Sequence, residues 1–173
     1  SSSDLTEHIQ SISNISTDAS NLARINRWQS ALRMYKERPI FGWGPGTYMF
    51  QYAPFQFSYE KTYISTNAGD RGNAHSEYIG PLAESGIPGI LSVLAIVITV
   101  LYTGVSLYKR MAGDPYRYLV MAVLLGLITY FIHGILNNFL DTDKASAPFW
   151  GFIAILVAYD IYHSNRSEET AGK

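Results

Sequence analysis

The sequence predicts an all-α membrane protein: a helical extramembrane loop domain followed by three transmembrane helices. Three observations carry that prediction. The apolar residues are segregated, so that everything before Gly86 is polar enough for water while 87–108, 118–136 and 147–162 are three apolar runs almost free of charge. The first run has the length needed to cross about 30 Å of hydrocarbon. Tyr and Phe are abundant, at 13 and 8 residues, which suits a protein with much area at a bilayer interface. The chain thus divides into a lead-in (1–20), an extramembrane loop domain (21–86), three spans (within 87–163) and a polar tail (164–173).

The lead-in is rich in Ser, Thr and Asn and is expected to be mobile. Asn14-Ile15-Ser16 fits a glycosylation sequon. Asp18 or Ser20 is placed to cap a helix running to about Arg38, where Pro39 disfavours further helical geometry. Leu22, Ile25, Trp28, Leu32 and Tyr35 fall three or four apart and form a helical stripe. Phe41-Gly42-Trp43-Gly44-Pro45-Gly46 follows as a shaped turn with aromatics packed against it. A glycine-rich loop can cradle phosphate, but no Gly-Lys-Ser/Thr follows, so a nucleotide P-loop is excluded and a plain turn is the better reading. Between Tyr48 and Tyr63 aromatics are dense, and Pro54 argues for irregular or short helical structure. That segment suits either the headgroup level or the core of a small extramembrane cap. Residues 65–73 read as a loop.

The first span, 87–108, is stopped by Lys109 and Arg110, and Asp114-Pro115 makes a turn. The second, 118–136, is interrupted by His133 alone. A polar, acidic hairpin at 137–145 leads to the third and shortest, 147–162, with Asp160 near its end. The first inter-span loop carries Lys109, Arg110 and Arg117, the second Asp141 and Asp143 against Lys144. The positive-inside rule puts the first loop and the polar tail in the cytoplasm. The loop domain then faces outward, the periplasm in a Gram-negative bacterium.

Net charge is −1, so nothing suggests a nucleic-acid surface. The absence of cysteine excludes disulfides, thiolate zinc sites and cysteine nucleophiles. There is no HExxH, no clustered metal ligands and no Gly-x-Ser-x-Gly, so metal and serine-hydrolase chemistry lack support.

The residues able to do chemistry lie ahead of the spans. Arg24 and Arg27, three apart on one helix, share a face and offer a fork for phosphate or pyrophosphate; the plainer reading is a solvated basic face. His75, close to Arg71, titrates near working pH and suits proton transfer from a hydroxyl; the plainer reading is a histidine at a helix start. Neither Glu77 nor Glu84 is three or four residues from His75, so no local dyad is implied, and Glu84 reads as a brace for the turn into the membrane. His133 is a functional candidate by its place in a span, with Asn137 or Asn138 as partner.

Three ordered motifs carry a resemblance: Arg24-x-x-x-Trp28-x-x-Ala31-Leu32; Pro39-Ile40-Phe41-Gly42-Trp43-Gly44-Pro45-Gly46; and Ala74-His75-Ser76-x-Tyr78-x-x-x-Leu82-x-Glu84-x-Gly86-x-x-Gly89. With Asn137-Asn138-Phe139 and Pro148-Phe149-Trp150 further on, the chain resembles the O-antigen ligase and polymerase family over residues 20 to 163. The resemblance implies a GT-C-like, multi-span inner-membrane glycosyltransferase, of which this chain is the C-terminal part. Such enzymes move a glycan from undecaprenyl diphosphate to an acceptor hydroxyl on the periplasmic side. The acceptor is the lipid A core in ligases, the growing chain in polymerases, and a protein Ser or Thr in the related oligosaccharyltransferases. The resemblance further implies no metal or cofactor, with His75 and Arg24 catalytic; Arg27 and Arg71 are added as substrate-binding candidates without a match to the family's motifs. Ser76 stands where the family commonly has Asn. Without the family's earlier spans the donor cavity is expected to be incomplete and this stretch inactive alone. A transporter would need ionisable residues along the spans, where only His133 and Asp160 stand, near opposite ends. A purely structural cap leaves the ordered motifs unexplained.

Overall fold

The computed structural model describes residues 19–61 and 72–171. The lead-in with its sequon, the Asp18 cap and Arg71 lie outside the described residues. Helices α1 (Ala19–Glu37), α2 (Tyr48–Gln51), α3 (Ile79–Arg110), α4 (Arg117–Leu136) and α5 (Asp143–Ala171) are joined by loops and three short 3-10 turns, at Ala53–Phe55, Ser58–Glu60 and Phe139–Asp141. The described residues contain no strand. Ser20 lies inside α1 and so does not cap it. The protein divides into two compact units, Ser1–Ile90 and Leu91–Lys173.

In the first unit, α1 buries Ala23, Asn26, Ser30, Ala31 and Met34, a stripe with helical spacing. This is not the stripe of larger apolar residues, for Leu22 and Leu32 are exposed. Tyr48 and Tyr52, stacked at 5.1 Å between ring centroids, share this core with Ala31 and Met34. The described aromatics of this stretch are divided: Tyr48 and Tyr52 are core, while Phe50, Phe57 and Tyr59 are exposed; Tyr63 lies outside the described residues.

Arg33 ties α1 to the following turns. Its guanidinium donates to the Phe55 carbonyl at 2.7 Å and forms a two-pronged pair with the Glu60 carboxylate. It also lies 3.9 Å from the centre of the Phe57 ring. Trp43 packs edge-on to Phe55 and donates its indole N–H to the Met34 carbonyl at 3.0 Å. Phe41, expected to pack on the turn, is 79% exposed.

Helix α3 changes direction at Gly86 (φ 65°, ψ −147°), a conformation open essentially to glycine alone. A Cβ there would lie 2.5 Å from the Pro39 and Ile40 carbonyl oxygens. A Cβ on Gly42 would lie 2.4 Å from the Glu84 carbonyl. The glycine turn and the first turns of α3 are thus pressed backbone to backbone, with Ile87 N–H donating to the Pro39 carbonyl at 3.0 Å.

The second unit has a core of Val100, Leu107, Met111, Val120, Val123, Leu127, Phe149 and Leu156. Gly104 admits Leu124 and Gly126 admits Phe152, the close approach that small residues allow between membrane helices. Among the described residues three helices are long and apolar enough to cross a membrane: Ile79–Arg110, Arg117–Leu136 and Asp143–Ser164. The protein is an all-α membrane protein. The last helix begins at Asp143, ahead of the apolar run 147–162, and continues to Ala171 through the polar tail. An acidic residue in its first turn favours the early start. Asp160 pairs with Arg110. His133 is exposed and tilts against Phe139 at 6.2 Å, while Asn137 reaches its backbone carbonyl rather than its ring. The partner expected for that ring is therefore not Asn137.

Candidate active site

Ser76 stands just ahead of α3, and its hydroxyl accepts the backbone N–H groups of Tyr78 and Ile79 at 3.3 Å each, at the entry to the helix. Ser and Asn are both strong caps, so Ser76 meets the same local need as the Asn common in the related motif. His75 therefore stands directly before a cap rather than acting as one.

His75 is the one non-glycine residue with positive φ (46°) among the described residues. That left-handed backbone costs about 1–2 kcal/mol. It is supported locally, since Asn73 turns its side-chain oxygen to the His75 N–H at 3.2 Å. Strain that the surroundings hold in place is common where a side chain must be aimed. Here the imidazole Nε2 lies 2.9 Å from Arg27 Nη1.

Arg27 is held from several directions. The buried Tyr48 hydroxyl donates to its backbone carbonyl at 2.9 Å. Burial raises the Tyr48 pKa far above any working pH, which keeps that hydroxyl a donor. The guanidinium stands 5.9 Å from the centre of the Tyr52 ring and also donates to the Asn73 carbonyl at 3.5 Å. Helix α1 and the 72–75 loop are thus joined through one side chain.

A guanidinium has only donors, so His75 Nε2 accepts and the ring proton sits on Nδ1. Burial, then the charges of Arg27 and Arg24, lower the His75 pKa below 6.5. At neutral pH the ring is an uncharged acceptor in a positive field. The site offers two cations for an anion and one neutral imidazole for a proton.

Glu84 is not part of this group. Its carboxylate accepts the backbone N–H groups of Gly46 at 2.9 Å and Tyr48 at 3.0 Å. Its own carbonyl takes the Gly44 N–H at 2.7 Å, and Ala83 takes that of Trp43 at 3.3 Å. The amides that a phosphate-cradling loop would present are already bonded to α3. The glycine turn is a structural joint, and Glu84 holds the start of α2, from which Tyr48 reaches Arg27.

Of the sequence-predicted residues, the structure brings His75 and Arg27 into contact and puts Arg24 close enough to act on the His75 charge. Arg71 lies outside the described residues. Asn73 and Tyr48 position the site without having stood out in the sequence, and Glu84, read there as a brace for the turn into the membrane, holds the glycine turn and the start of α2. The one available signal was Glu84 beside Gly86, two residues whose partners lie about forty positions earlier. Among the described residues no cluster of His, Asp and Glu has the makings of a metal site.

A family model described as O-antigen ligase matches residues 2–94, just over half of the chain and including Arg24, Arg27 and His75. No curated protein matches the chain, and no solved structure does.

Proposed function

Because the chain belongs to the O-antigen ligase family, we propose that it is a membrane glycosyltransferase of surface-polysaccharide synthesis and that Arg24, Arg27 and His75 are its transfer site. The observation that carries this is the 2.9 Å contact between Arg27 and His75, which brings the helix that carries Arg24 to the histidine of the third motif. The donor is a glycan on undecaprenyl diphosphate, and the acceptor is a hydroxyl, that of the lipid A core in a ligase.

Arg24 and Arg27 hold the diphosphate, so that negative charge developing on the leaving oxygen is met by fixed positive charge. When Arg27 turns to the diphosphate, the His75 Nε2 lone pair is released. The anion also offsets the positive field, so the imidazole becomes more basic once donor is bound. The acceptor oxygen then attacks the anomeric carbon, its proton passes to His75 Nε2, and the bond to the diphosphate oxygen breaks. The cationic loop at Lys109, Arg110 and Arg117 supports a cytoplasmic location for that end of the first span. The transfer site then works on the periplasmic face of the inner membrane.

The test is glycan transfer in cells whose only copy carries Arg24→Ala or His75→Ala. Each variant is expected to reach the membrane in normal amount and to lose transfer. Loss of glycan from lipid A core marks a ligase, and shortened chains mark a polymerase. Near-normal transfer by either variant contradicts the assignment.

A further inference from the structure

Ile40 and Phe41 are adjacent, apolar and open, 60% and 79% exposed. They are not a stray loop tip. The Pro39 carbonyl accepts the Ile87 N–H at 3.0 Å, and Gly86 rests on the Pro39 and Ile40 carbonyls. Residues 39–41 are therefore fixed at the level of Ile87, where the uncharged run 87–108 begins. Ile87 is itself exposed. Just ahead stand Lys36 and Arg38, both exposed, with the Arg38 guanidinium 4.0 Å from the centre of the Trp43 ring. Exposed cations beside bare aliphatic and aromatic side chains suit the boundary between headgroups and acyl chains.

We propose that Ile40 and Phe41 form a hydrophobic wedge that enters the lipid at the headgroup–acyl boundary where α3 enters the bilayer. The occupant is lipid because the patch is continuous with a helix that crosses it. Through Gly42, Gly86 and Glu84 the wedge would fix the height of the glycine turn, and with it α2, above the membrane. This inference rests on α3 being a span and is independent of the transfer chemistry.

The chain has no cysteine, so Phe41→Cys and, separately, Ile40→Cys each carry a single nitroxide label. Both positions are exposed, so neither change removes core. The labelled protein is reconstituted in vesicles of phosphatidylethanolamine and phosphatidylglycerol. Power saturation then compares access of oxygen, which concentrates in lipid, with access of a neutral nickel chelate, which stays in water. At both positions oxygen is expected to exceed the nickel chelate several-fold. Access dominated by the nickel chelate overturns the proposal in favour of water. Low access to both overturns it in favour of cover by protein, a second copy or another segment.

Discussion

Arg27 Nη1 and His75 Nε2 stand 2.9 Å apart although 48 residues separate them in the chain. A single hydrogen bond thereby fixes the tautomer of the ring, joins α1 to the loop ahead of α3, and couples the anion-binding half of the candidate site to its proton acceptor. Electrostatics and geometry agree here: the same arginine that engages the lone pair also depresses the basicity of the ring.

This sets the sign of the pH dependence. Transfer needs neutral His75, and its pKa lies below 6.5 in the free protein. The acid limb of the kcat/KM profile should therefore lie below pH 6.5, since that parameter reports the free enzyme. Arg27→Gln removes one of the two charges that depress the ring. The limb should move up toward 6.5, and kcat/KM at neutral pH should fall by about 10²-fold from weakened charge stabilisation. A limb unmoved by the substitution separates Arg27 from the ionisation of His75.

Glu84→Gln distinguishes a structural carboxylate from a catalytic one. Glutamine has one acceptor oxygen for the two N–H groups now held by Glu84. The loss should be about 1.5–3 kcal/mol of stability, read as a lower thermal midpoint in detergent. Transfer per folded molecule should stay within a few-fold of the parent. Loss of turnover with an unchanged midpoint would instead make Glu84 a participant in the chemistry.

Gly86→Ala forces a side chain into a left-handed backbone and against the Pro39 and Ile40 carbonyls. The backbone alone costs about 1–3 kcal/mol, and the clash adds to it. Reduced protein in the membrane and easier proteolysis near residue 40 are expected. Normal yield and protease resistance would mean that the joint between the glycine turn and α3 is looser than it stands here.

The Arg33–Glu60 pair predicts acid sensitivity of the loop domain. The hydrogen bonds from Arg33 hold the Glu60 carboxyl below its ordinary 4.5, against burial, which pulls the other way. A depressed carboxylate stabilises the fold above its unfolded pKa, and this is lost as pH falls through the folded one. Glu60→Gln should therefore lower stability by about 1.5–3 kcal/mol at neutral pH. It should also flatten the fall in thermal midpoint below pH 4.5. An equal midpoint at pH 7 would dismiss the pair as a stabiliser.

The spans were legible because uncharged length is a property of the chain itself, needing no partner. Helix α1 was legible as a helix from its period but not in its buried face. Leu22 and Leu32 are exposed while Ala31 and Met34 pack with Tyr48 and Tyr52, partners that only the fold supplies. Glu84 was legible as a brace, but what it braces was hidden for a related reason. Its two N–H partners lie 38 and 36 residues earlier, and nothing local at Glu84 announces them. The left-handed backbone of His75 has no sequence signal beyond Asn73 two positions before it. Ordered motifs pointed to Arg24 and His75, but Arg27 appeared in the sequence only as a neighbour on the same helix face, and its contact with His75 required the fold.

The most direct test of the account separates donor binding from turnover in the protein reconstituted with lipid-linked glycan and acceptor. His75→Ala should bind the donor as the parent does and transfer it at least about 10²-fold more slowly, the contribution expected of a positioned general base. Arg24→Ala should lose donor affinity as well as transfer. Transfer at near-parent rates by His75→Ala, or undiminished donor affinity in Arg24→Ala, would contradict the claim that these two residues divide the chemistry between them.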